Sequence, residues 1–495
     1  MKEKNDDKLN LKNIMDFRAE KLNKIVSSGI NPYPNSFDKK HSISDILDNP
    51  KKYKNVKTAG RIVSMRKMGK SCFLNLQENK NKIQLYVSKD NLKEGLYDNL
   101  VRNLDIGDIV GLEGDVFYTK TNELSIKLIN IELLAKNLYP LPNIKEKDGK
   151  SFFAFDDKES RYRNRYMDLI VNPQIQDVFI KRSKIINNLR LFLNNLDFLE
   201  VETPVLQPIY GGANARPFKT FHNSLDKDLY LRIADELYLK RLIIGGIDKV
   251  YEIAKNFRNE GMDRSHNPEF TMLEFYKSYS DVNDIMEITE TMIRDVFIKV
   301  LDQNNFIFDD NKIDMKKDFD IITFSESIKK FSEFDIIDKS EKDLRDFIKK
   351  SKIKISKNES YGNLLDKIFS HFVEPKLINP TFVTDYPLVL SPLAKKSIKD
   401  PNKVDRFELF IGGMEIANAF SELNDPADQL NRLESQSKLR ELGDEEAQVV
   451  DLDFIKAMQV GMPPTGGVGI GIDRLTMLLT SNKSIKDVIL FPAMR

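Results

Sequence analysis

The sequence predicts an α+β protein in which a small β-barrel precedes a larger region of strands and helices. From Thr58 to about Lys136, short apolar-alternating segments are separated by Gly, Asn and Lys turns, which is the pattern of a small barrel. Farther along, segments with helical periods such as "IQDVFIKRSKIINNLRLFLNNL" lie between strand-like segments such as "KVYEIAKNF" and "FTMLEFYKSY". A length of 495 residues accommodates about three domains, or one large and one smaller domain.

The predicted domains follow from these changes of pattern. The first segment is charged and contains an amphipathic helix that ends at Gly29 and the prolines after it. A Pro-bearing, charged stretch, "NLYPLPNIKEKDGK", reads as a linker. The predicted boundaries are a helical segment at 1–54, the barrel at 55–140, the linker at 141–152 and a large domain at 153–495, with helices inserted at about 281–380.

Composition excludes several classes of function. Lys and Arg total 77 against 76 Asp and Glu, so any nucleic-acid partner must be held by a local patch or by shape. The single cysteine, Cys72, excludes an internal disulfide and a cysteine-based zinc site, and no H-E-x-x-H pattern is present. The start is polar and no run of about 18 apolar residues occurs. We therefore expect a soluble, cytoplasmic protein with no membrane association.

The strand "FTMLEFY" places an acid and two aromatic rings on one face. Because side chains alternate along a strand, Phe270, Met272, Glu274 and Tyr276 lie on the same side. One interpretation is a solvent-facing glutamate on an edge strand. The other is the floor of a ligand site, with a flat ring for a base and an acceptor for a polar group.

Two arginines indicate an anionic ligand. Arg258 and Glu260 follow the strand "KVYEIAKNF", and a guanidinium fork suits a carboxylate or a phosphate, although a lone arginine is more often a surface ion pair. Arg474 follows the glycine-rich "GGVGIGI" just inside a helix, where a cation is unfavourable unless an anion is bound. The glycines match neither a P-loop nor a dinucleotide-binding motif, so simple close packing is the alternative reading.

Paired carboxylates suggest a metal. Glu408 and Glu415 flank the turn at Gly412 and Gly413, so both side chains can reach one point. Near phosphate-binding arginines, such a pair favours Mg²⁺ bridging a nucleotide. Taken singly, each glutamate is more simply explained as solvated.

Three longer motifs carry a resemblance. In order, "FLEVETP", "NFRNEG…HNPEFTMLEFY" and "GIGIDRL" resemble the three signatures of class II aminoacyl-tRNA synthetases. With "GGANARPF", "LYLRIADELYLKRL", "IANAFSELND" and "DVILFPAM", nearly the whole chain, barrel included, is similar to the class II lysyl-tRNA synthetases. The resemblance implies an OB-fold anticodon-binding barrel and a catalytic domain with an antiparallel sheet flanked by helices. It also implies a homodimer that joins L-lysine to tRNA(Lys) with ATP as substrate and two or three Mg²⁺ ions.

The resemblance also implies roles for individual residues. Arg258 and Arg474 would be catalytic, with Arg258 holding both the ATP α-phosphate and the lysine carboxylate. Phe270 would stack on adenine. The implied ATP-binding residues are Arg258, Glu260, His266, Asn267, Phe270, Glu408, Glu415 and Arg474, of which Glu408 and Glu415 would hold Mg²⁺. The implied lysine-binding residues are Gly212, Glu236, Arg258, Glu274, Tyr276, Asn418 and Glu422. The implied anticodon-binding residues are Arg66, Phe73, Gln84 and Glu123.

The pocket chemistry distinguishes lysine from the substrates of related enzymes. A buried ammonium needs acidic or hydroxyl acceptors, which Glu236, Glu422 and Tyr276 would supply, whereas an aspartyl- or asparaginyl-type synthetase would need cations or amides there. A non-catalytic RNA-binding protein is a further alternative. For Phe73, a position in the barrel core is the competing interpretation, but it alternates onto one face with Asn75 and Gln77, which favours exposure.

Overall fold

The computed structural model describes residues 2–142, 144–147, 150–153, 155, 157–356, 359–441 and 448–494. The chain divides into two compact units, residues 1–176 and 177–495. Residues 143, 148 and 149 of the predicted linker lie outside the described part. No helix among the described residues is long and apolar enough to cross a membrane.

The first unit contains a closed β-barrel between helical segments. Its helices are α1 (Lys2–Ser27), α2 (Ile43–Asp48), α3 (Leu96–Asn99), α4 (Lys158–Arg163) and α5 (Arg165–Val171). Its strands are β1 (Asn55–Met68), β2 (Ser71–Glu78), β3 (Asn81–Ser88), β4 (Ile109–Tyr118), β5 (Leu124–Ala135), β6 (Ile144–Lys147) and β7 (Lys150–Phe153). The barrel closes in the order β1-β2-β3-β5-β4.

Alternation along β2 separates the barrel core from its surface. Cys72, Leu74 and Leu76 are buried in the core cluster, whereas Phe73 and Asn75 point away from it. Burying every second side chain is what a half-buried strand requires. The predicted barrel is confirmed.

The second unit contains the remaining elements. Its helices are α6 (Gln176–Asn195), α7 (Glu236–Ile244), α8 (Val282–Leu301), α9 (Phe324–Ser332), α10 (Glu341–Lys350), α11 (Tyr361–Phe372), α12 (Pro426–Glu441), α13 (Leu452–Gly461), α14 (Ile472–Leu479) and α15 (Ile485–Val488). Its strands are β8 (Leu199–Glu200), β9 (Leu206–Gln207), β10 (Lys219–His222), β11 (Lys227–Leu231), β12 (Lys249–Phe257), β13 (Glu269–Ser278), β14 (Asn305–Phe308), β15 (Asn311–Asp314), β16 (Asp320–Thr323), β17 (Thr381–Thr384), β18 (Arg406–Ile411), β19 (Met414–Ser421) and β20 (Thr465–Gly471).

An eight-stranded sheet organises this unit, in the order β16-β17-β18-β19-β20-β13-β12-β8. The central strands pair antiparallel, and the pairs at the two ends, β16 with β17 and β8 with β12, are parallel. Leu273 and Phe275 of β13 enter a core with Leu189 of α6 and Val296 of α8. The predicted antiparallel sheet with flanking helices is therefore confirmed.

Two parts of the second unit differ in detail from the sequence pattern. "FLEVETPVL" has the pattern of a strand stopped or kinked at Pro204, and it contributes only the short β8 and β9, which belong to different sheets on either side of that proline. The region at about 281–380 contains the expected helices and also the hairpin β14–β15 and the strand β16. Helix α8 begins with a capping box in which Asp281 and Asp284 satisfy each other's backbone N–H groups.

Candidate functional site

Two adjoining cavities lie on the sheet face opposite the core. The first, of about 270 Å³, is lined by several carboxylates and is termed the acidic cavity. The second, of about 210 Å³, contains Arg258 and Arg474 and is termed the arginine cavity. Because Arg258, Met272, Asn418 and Gly469 line both, one ligand or two reacting ligands can occupy the pair.

The strands of the sheet build the shared floor. Met272, Glu274 and Tyr276 of β13 face the cavities, while the alternate residues enter the core. β13 lies inside the sheet, between β12 and β20, so Glu274 is not on an edge strand. On β20, a Cβ atom at Gly467 would collide with the Glu422 carboxylate and the Tyr276 ring. Glycine at this position therefore keeps the acidic cavity open.

Glu236 and Glu422 face each other across a buried lysine. The side chains of both glutamates are almost fully buried, and Lys240 Nζ lies 2.5 Å from Glu236 Oε1 and forms an ion pair with Glu422. Burial raises the pKa of both carboxyl groups, and the Lys240 ammonium opposes that rise. One ammonium shared by two carboxylates leaves acceptor capacity for a second cation.

Glu274 and Tyr276 add further acceptors. The Tyr276 hydroxyl donates to Glu274 Oε2 at 3.0 Å, and both side chains are buried. Burial raises the pKa of Glu274 well above its usual range, and the nearby carboxyl groups of Asp235 and Glu236 reinforce this. The seven residues expected to bind lysine all line the acidic cavity: Gly212, Glu236, Arg258, Glu274, Tyr276, Asn418 and Glu422.

Arg258 is a partly buried cation with unused donor capacity. Its Nε has no hydrogen-bond partner among the described residues, and its guanidinium lies 5.0 Å from the centre of the Phe270 ring. Burial lowers the pKa of Arg258, although Glu260 and Glu415 favour its charged form. An incompletely paired buried guanidinium is stabilised by an anionic ligand.

Arg474 faces the same cavity from the first turn of α14. Its Nη1 donates to the backbone oxygen and to Oε2 of Glu415, both at 2.9 Å, and its Nη2 lies 3.5 Å from His266 Nε2. Glu415 thereby offsets the unfavourable position of a cation at a helix start. The arginine cavity includes the expected residues Arg258, Glu260, His266, Asn267, Phe270, Glu415 and Arg474.

The loop between β12 and β13 is held by its own polar groups. Asp263 accepts from the backbone N–H groups of Ser265 at 2.7 Å and His266 at 2.8 Å. Asn267 donates to Glu269 O at 2.6 Å and accepts from Ala493 N at 3.2 Å. The Asn267 amide therefore holds the loop in place, and Asn267 also lines the arginine cavity. Sequence reasoning missed the role of Asp263, although Asp two residues before Ser is a typical Asx-turn signal.

Glu408 lies outside the lining of both cavities. It accepts from the Tyr386 hydroxyl at 2.6 Å and forms an ion pair with Arg406. Burial raises the pKa of Glu408 to about 7; the guanidinium of Arg406 opposes this and the charge of Glu415 adds to it.

A like-charged pair of carboxylates is the donor set that a hard divalent cation neutralises, and Mg²⁺ uses one or two carboxylates with ligand phosphates and water. The residues therefore fit Mg²⁺. Among the residues that the structure describes, no three His, Cys, Asp or Glu side chains are grouped so that they could hold a metal ion by themselves. A Mg²⁺ ion here would therefore also need the phosphates of a bound nucleotide.

Two cations were missed from the sequence: Arg406, which lines the acidic cavity, and Lys240, which pairs with two of its lining carboxylates. Lys240 had a signal, because Glu236 and Lys240 are spaced i,i+4 on one helix. Arg406 had none. It lines the cavity and donates to Asn418 Oδ1 at 3.1 Å and Ser391 Oγ at 2.7 Å, contacts that only the folded sheet creates.

A groove on the barrel brings together most of the residues expected to bind the anticodon. Arg66, Phe73 and Gln84 line this barrel groove of about 550 Å³. The Phe73 ring is half-buried and lies 5.1 Å from that of Tyr86. Glu123 does not line the groove; its backbone pairs with Thr119 across the turn that forms one side.

Comparison with known proteins agrees with this geometry. Residues 157–495 match the class II tRNA synthetases (D, K and N), and residues 56–134 match the OB-fold nucleic acid binding domain. The lysine–tRNA ligase of Christiangramia forsetii is 47% identical over 485 residues, covering 97% of this chain and 85% of that protein. Lysine–tRNA ligase 2 of Methanosarcina mazei is 46% identical over 486 residues, covering 97% of this chain and 94% of that protein. The chain therefore belongs to the class II tRNA synthetase family and carries an OB-fold domain.

Proposed function

We propose that the protein is a lysine–tRNA ligase. It activates L-lysine with ATP to form lysyl-adenylate and pyrophosphate, then transfers the lysyl group to the 3′ end of tRNA(Lys). The observation that carries this proposal is the acidic cavity, in which buried Glu236, Glu274 and Glu422 adjoin a cavity with two arginines. The lysine–tRNA ligases that match 97% of the chain support it.

The acidic cavity suits both ends of lysine. Glu422, Glu236 and the Tyr276–Glu274 pair offer acceptors to its ammonium groups, and burial makes each such hydrogen bond stronger than in water. Arg258, which lines both cavities, is placed to bind the carboxylate beside the nucleotide. An aspartate side chain would instead put a further carboxylate next to three buried ones, at a cost of several kcal/mol.

Activation needs alignment more than acid–base catalysis. The lysine carboxylate is ionised at neutral pH, so one of its oxygens attacks the α-phosphorus without a general base. The new carboxylate–phosphorus bond forms as the bond to pyrophosphate breaks. Arg258 holds the attacking carboxylate and the α-phosphate, and Arg474 holds the triphosphate from the other side, which neutralises charge that develops in the transition state.

Mg²⁺ would complete the charge balance. Glu408 and Glu415 would hold it, and it would neutralise the phosphate oxygens and the departing pyrophosphate. The ion pairs of Glu408 with Arg406 and Glu415 with Arg474 orient both carboxylates.

Transfer uses the tRNA. A ribose hydroxyl of the terminal adenosine attacks the lysyl carbonyl, the carbonyl–phosphate bond breaks with its electrons going to the AMP phosphate, and the hydroxyl proton passes to solvent. The barrel groove is proposed to bind the anticodon through stacking on Phe73 and polar contacts to Arg66 and Gln84, with Glu123 at the adjacent turn.

We also propose a homodimer that acts in the cytoplasm. The segment from α6 to β9 exposes Ile180, Leu191, Leu199 and Leu206, each with more than a third of its surface accessible. A concentration of exposed apolar side chains in one segment marks an interaction surface.

The test is ATP–pyrophosphate exchange with lysine, aspartate and asparagine supplied separately, followed by aminoacylation of a tRNA(Lys) transcript. Exchange that depends on lysine alone, followed by lysylation of the transcript, is expected. Exchange driven by aspartate or asparagine would overturn the proposal in favour of the aspartyl- or asparaginyl-type alternative. The absence of exchange with every amino acid would favour a non-catalytic RNA-binding protein.

A further inference from the structure

Asp235 is a buried carboxyl group that helix capping does not explain. It occupies the N-cap position of α7, where aspartate usually accepts from a backbone N–H of the first turn. Its side chain makes no such bond, and its backbone angles, φ −99° and ψ −7°, are those of the right-handed helical region. The residue is fully buried, so its carboxyl group serves another purpose.

The surroundings of Asp235 give it too few donors. Its Oδ1 accepts from Asn256 Nδ2 at 3.1 Å, but no donor in the described residues reaches Oδ2. The carboxyl group of Glu274, on β13, lies close enough to share a hydrogen bond with it. Two carboxylates cannot bond to each other unless one of them carries a proton.

The charged groups around the pair do not neutralise it. The titratable groups that face Asp235 and Glu274 are Arg232, Glu236, Glu252, Arg258 and Tyr276. Of the two cations among them, Arg232 lies 2.6 Å from Glu252 Oε1 and is paired with it. The other, Arg258, acts on Glu274 less than the neighbouring carboxyl groups do. Glu236, by contrast, has the Lys240 ammonium.

Like-charge repulsion and burial both favour one proton on the pair. In agreement, burial raises the pKa of Asp235 to about 6, and burial together with the charge of Asp235 raises the pKa of Glu274 well above its usual range. The Tyr276 hydroxyl already donates to Glu274 Oε2, so the shared proton is placed on the side of Glu274 that faces Asp235.

We propose that Asp235 and Glu274 hold one proton between them in the empty site, and that a lysine ammonium binding beside Glu274 expels this proton to solvent. The inference rests on the proposed function, because it takes lysine as the occupant of the acidic cavity. Asp235 does not line that cavity. It is therefore a positioning residue, which acts on lysine through the charge of Glu274.

The direction of the pH dependence follows. Below the pH at which the empty pair loses its proton, lysine must expel that proton, so lysine affinity falls as pH falls. One expelled proton corresponds to about a tenfold loss of affinity per pH unit. In Asp235→Asn, the repelling charge is gone and an amide can donate to Glu274, so Glu274 is ionised before lysine arrives.

The experiment is calorimetric titration of the full-length protein with L-lysine, in two buffers of different ionisation enthalpy, at about pH 6.5, where the lysine side chain stays charged. Wild type is expected to release about 0.5–1 proton more per lysine than Asp235→Asn. Lysine KM in ATP–pyrophosphate exchange should fall more steeply with rising pH in wild type than in the variant, in which only the other carboxyl groups of the cavity titrate, and the KM for ATP should be the same in the two proteins at each pH.

Asp451→Asn is the matched control. Asp451 is also a buried N-cap aspartate, but its side chain accepts from Phe454 N at 2.9 Å and pairs with Arg241. Proton release in this control should equal that of wild type. Asp235→Ser serves as a second variant if Asp235→Asn does not fold, with the same loss of proton release expected.

The outcomes separate this inference from the proposed function. Wild type that binds lysine with no more proton release than the Asp235 variants overturns the inference and leaves the proposed function standing. Wild type that neither binds lysine nor supports lysine-dependent exchange overturns both.

Discussion

Substitution of Glu422 by glutamine tests the assignment of the acidic cavity. Glutamine keeps the shape of the side chain and removes its charge. Glu422 is 1% exposed and forms an ion pair with Lys240, which retains Glu236 at 2.5 Å in the variant. The fold should therefore survive. The variant should lose affinity for the second ammonium in the cavity, which is that of the bound lysine.

The expected magnitude follows from burial. A hydrogen bond between a charged donor and a charged acceptor contributes about 1.5–3 kcal/mol, and water replaces it poorly at a carboxylate as buried as that of Glu422. At about 1.4 kcal/mol per factor of ten, the lysine KM should rise about 10- to 150-fold. The KM for ATP should change little, because Glu422 lines only the acidic cavity.

The assay is ATP–pyrophosphate exchange as a function of lysine concentration, with the thermal midpoint of unfolding measured in parallel. Glu434→Gln, at an exposed position of α12, is the control for loss of one negative charge and should match wild type. A Glu422→Gln protein that is folded and has a lysine KM within about twofold of wild type would refute the cavity assignment, because so small a change is below 0.5 kcal/mol.

Three further substitutions probe the other contacts. Phe73→Ala should weaken tRNA charging about 5- to 150-fold through lost base stacking and leave exchange unchanged; equal loss of both activities would make Phe73 structural. Gly467→Ala should raise the lysine KM at least about tenfold, because its Cβ meets Glu422 and Tyr276; an unchanged KM would contradict the proposed lysine position. Arg258→Lys keeps the charge and loses the guanidinium fork, so the exchange rate should fall about 100-fold or more; a rate near wild type would remove Arg258 from the chemistry.

The alternation of side chains predicted the barrel because this signal is contained within each short strand. In β2, the alternation of Cys72, Leu74 and Leu76 with polar neighbours indicates both the strand and its buried face. The same pattern placed Phe73 outside the core, where the structure has it. It also placed Gln77 on that outer face, but Gln77 is buried and donates to Ile170 O at 3.0 Å. Ile170, which accepts this hydrogen bond, lies far along the chain from Gln77. Alternation within one strand cannot reveal such a contact.

The floor of the site was only half predictable. Alternation in "FTMLEFY" indicates that Glu274 and Tyr276 share a face, but it cannot tell a solvent-facing edge strand from a central one. That difference depends on β20, which pairs Gly469 with Glu274 and Gly467 with Tyr276. Pairing across so many residues is determined by the tertiary fold and leaves no trace in a short window.

The residues that sequence reasoning missed share a physical reason. Arg406 and Asp235 are charged residues, which are mostly exposed in proteins, and their burial is decided by distant partners such as Ser391 and Asn256. Glu408 was expected beside Glu415 because both flank one turn. The charge of Glu415 does act on Glu408, and the contact of Glu408 with the distant Tyr386 accompanies a position outside the lining of both cavities.

The most direct test of the central claim is a competition for activation. The protein is incubated with ATP, Mg²⁺ and an equimolar mixture of the natural amino acids without tRNA, and the aminoacyl-adenylate retained by the enzyme is identified by mass spectrometry. The buried carboxylates of the acidic cavity predict that lysyl-adenylate predominates. Predominance of aspartyl- or asparaginyl-adenylate would contradict the account.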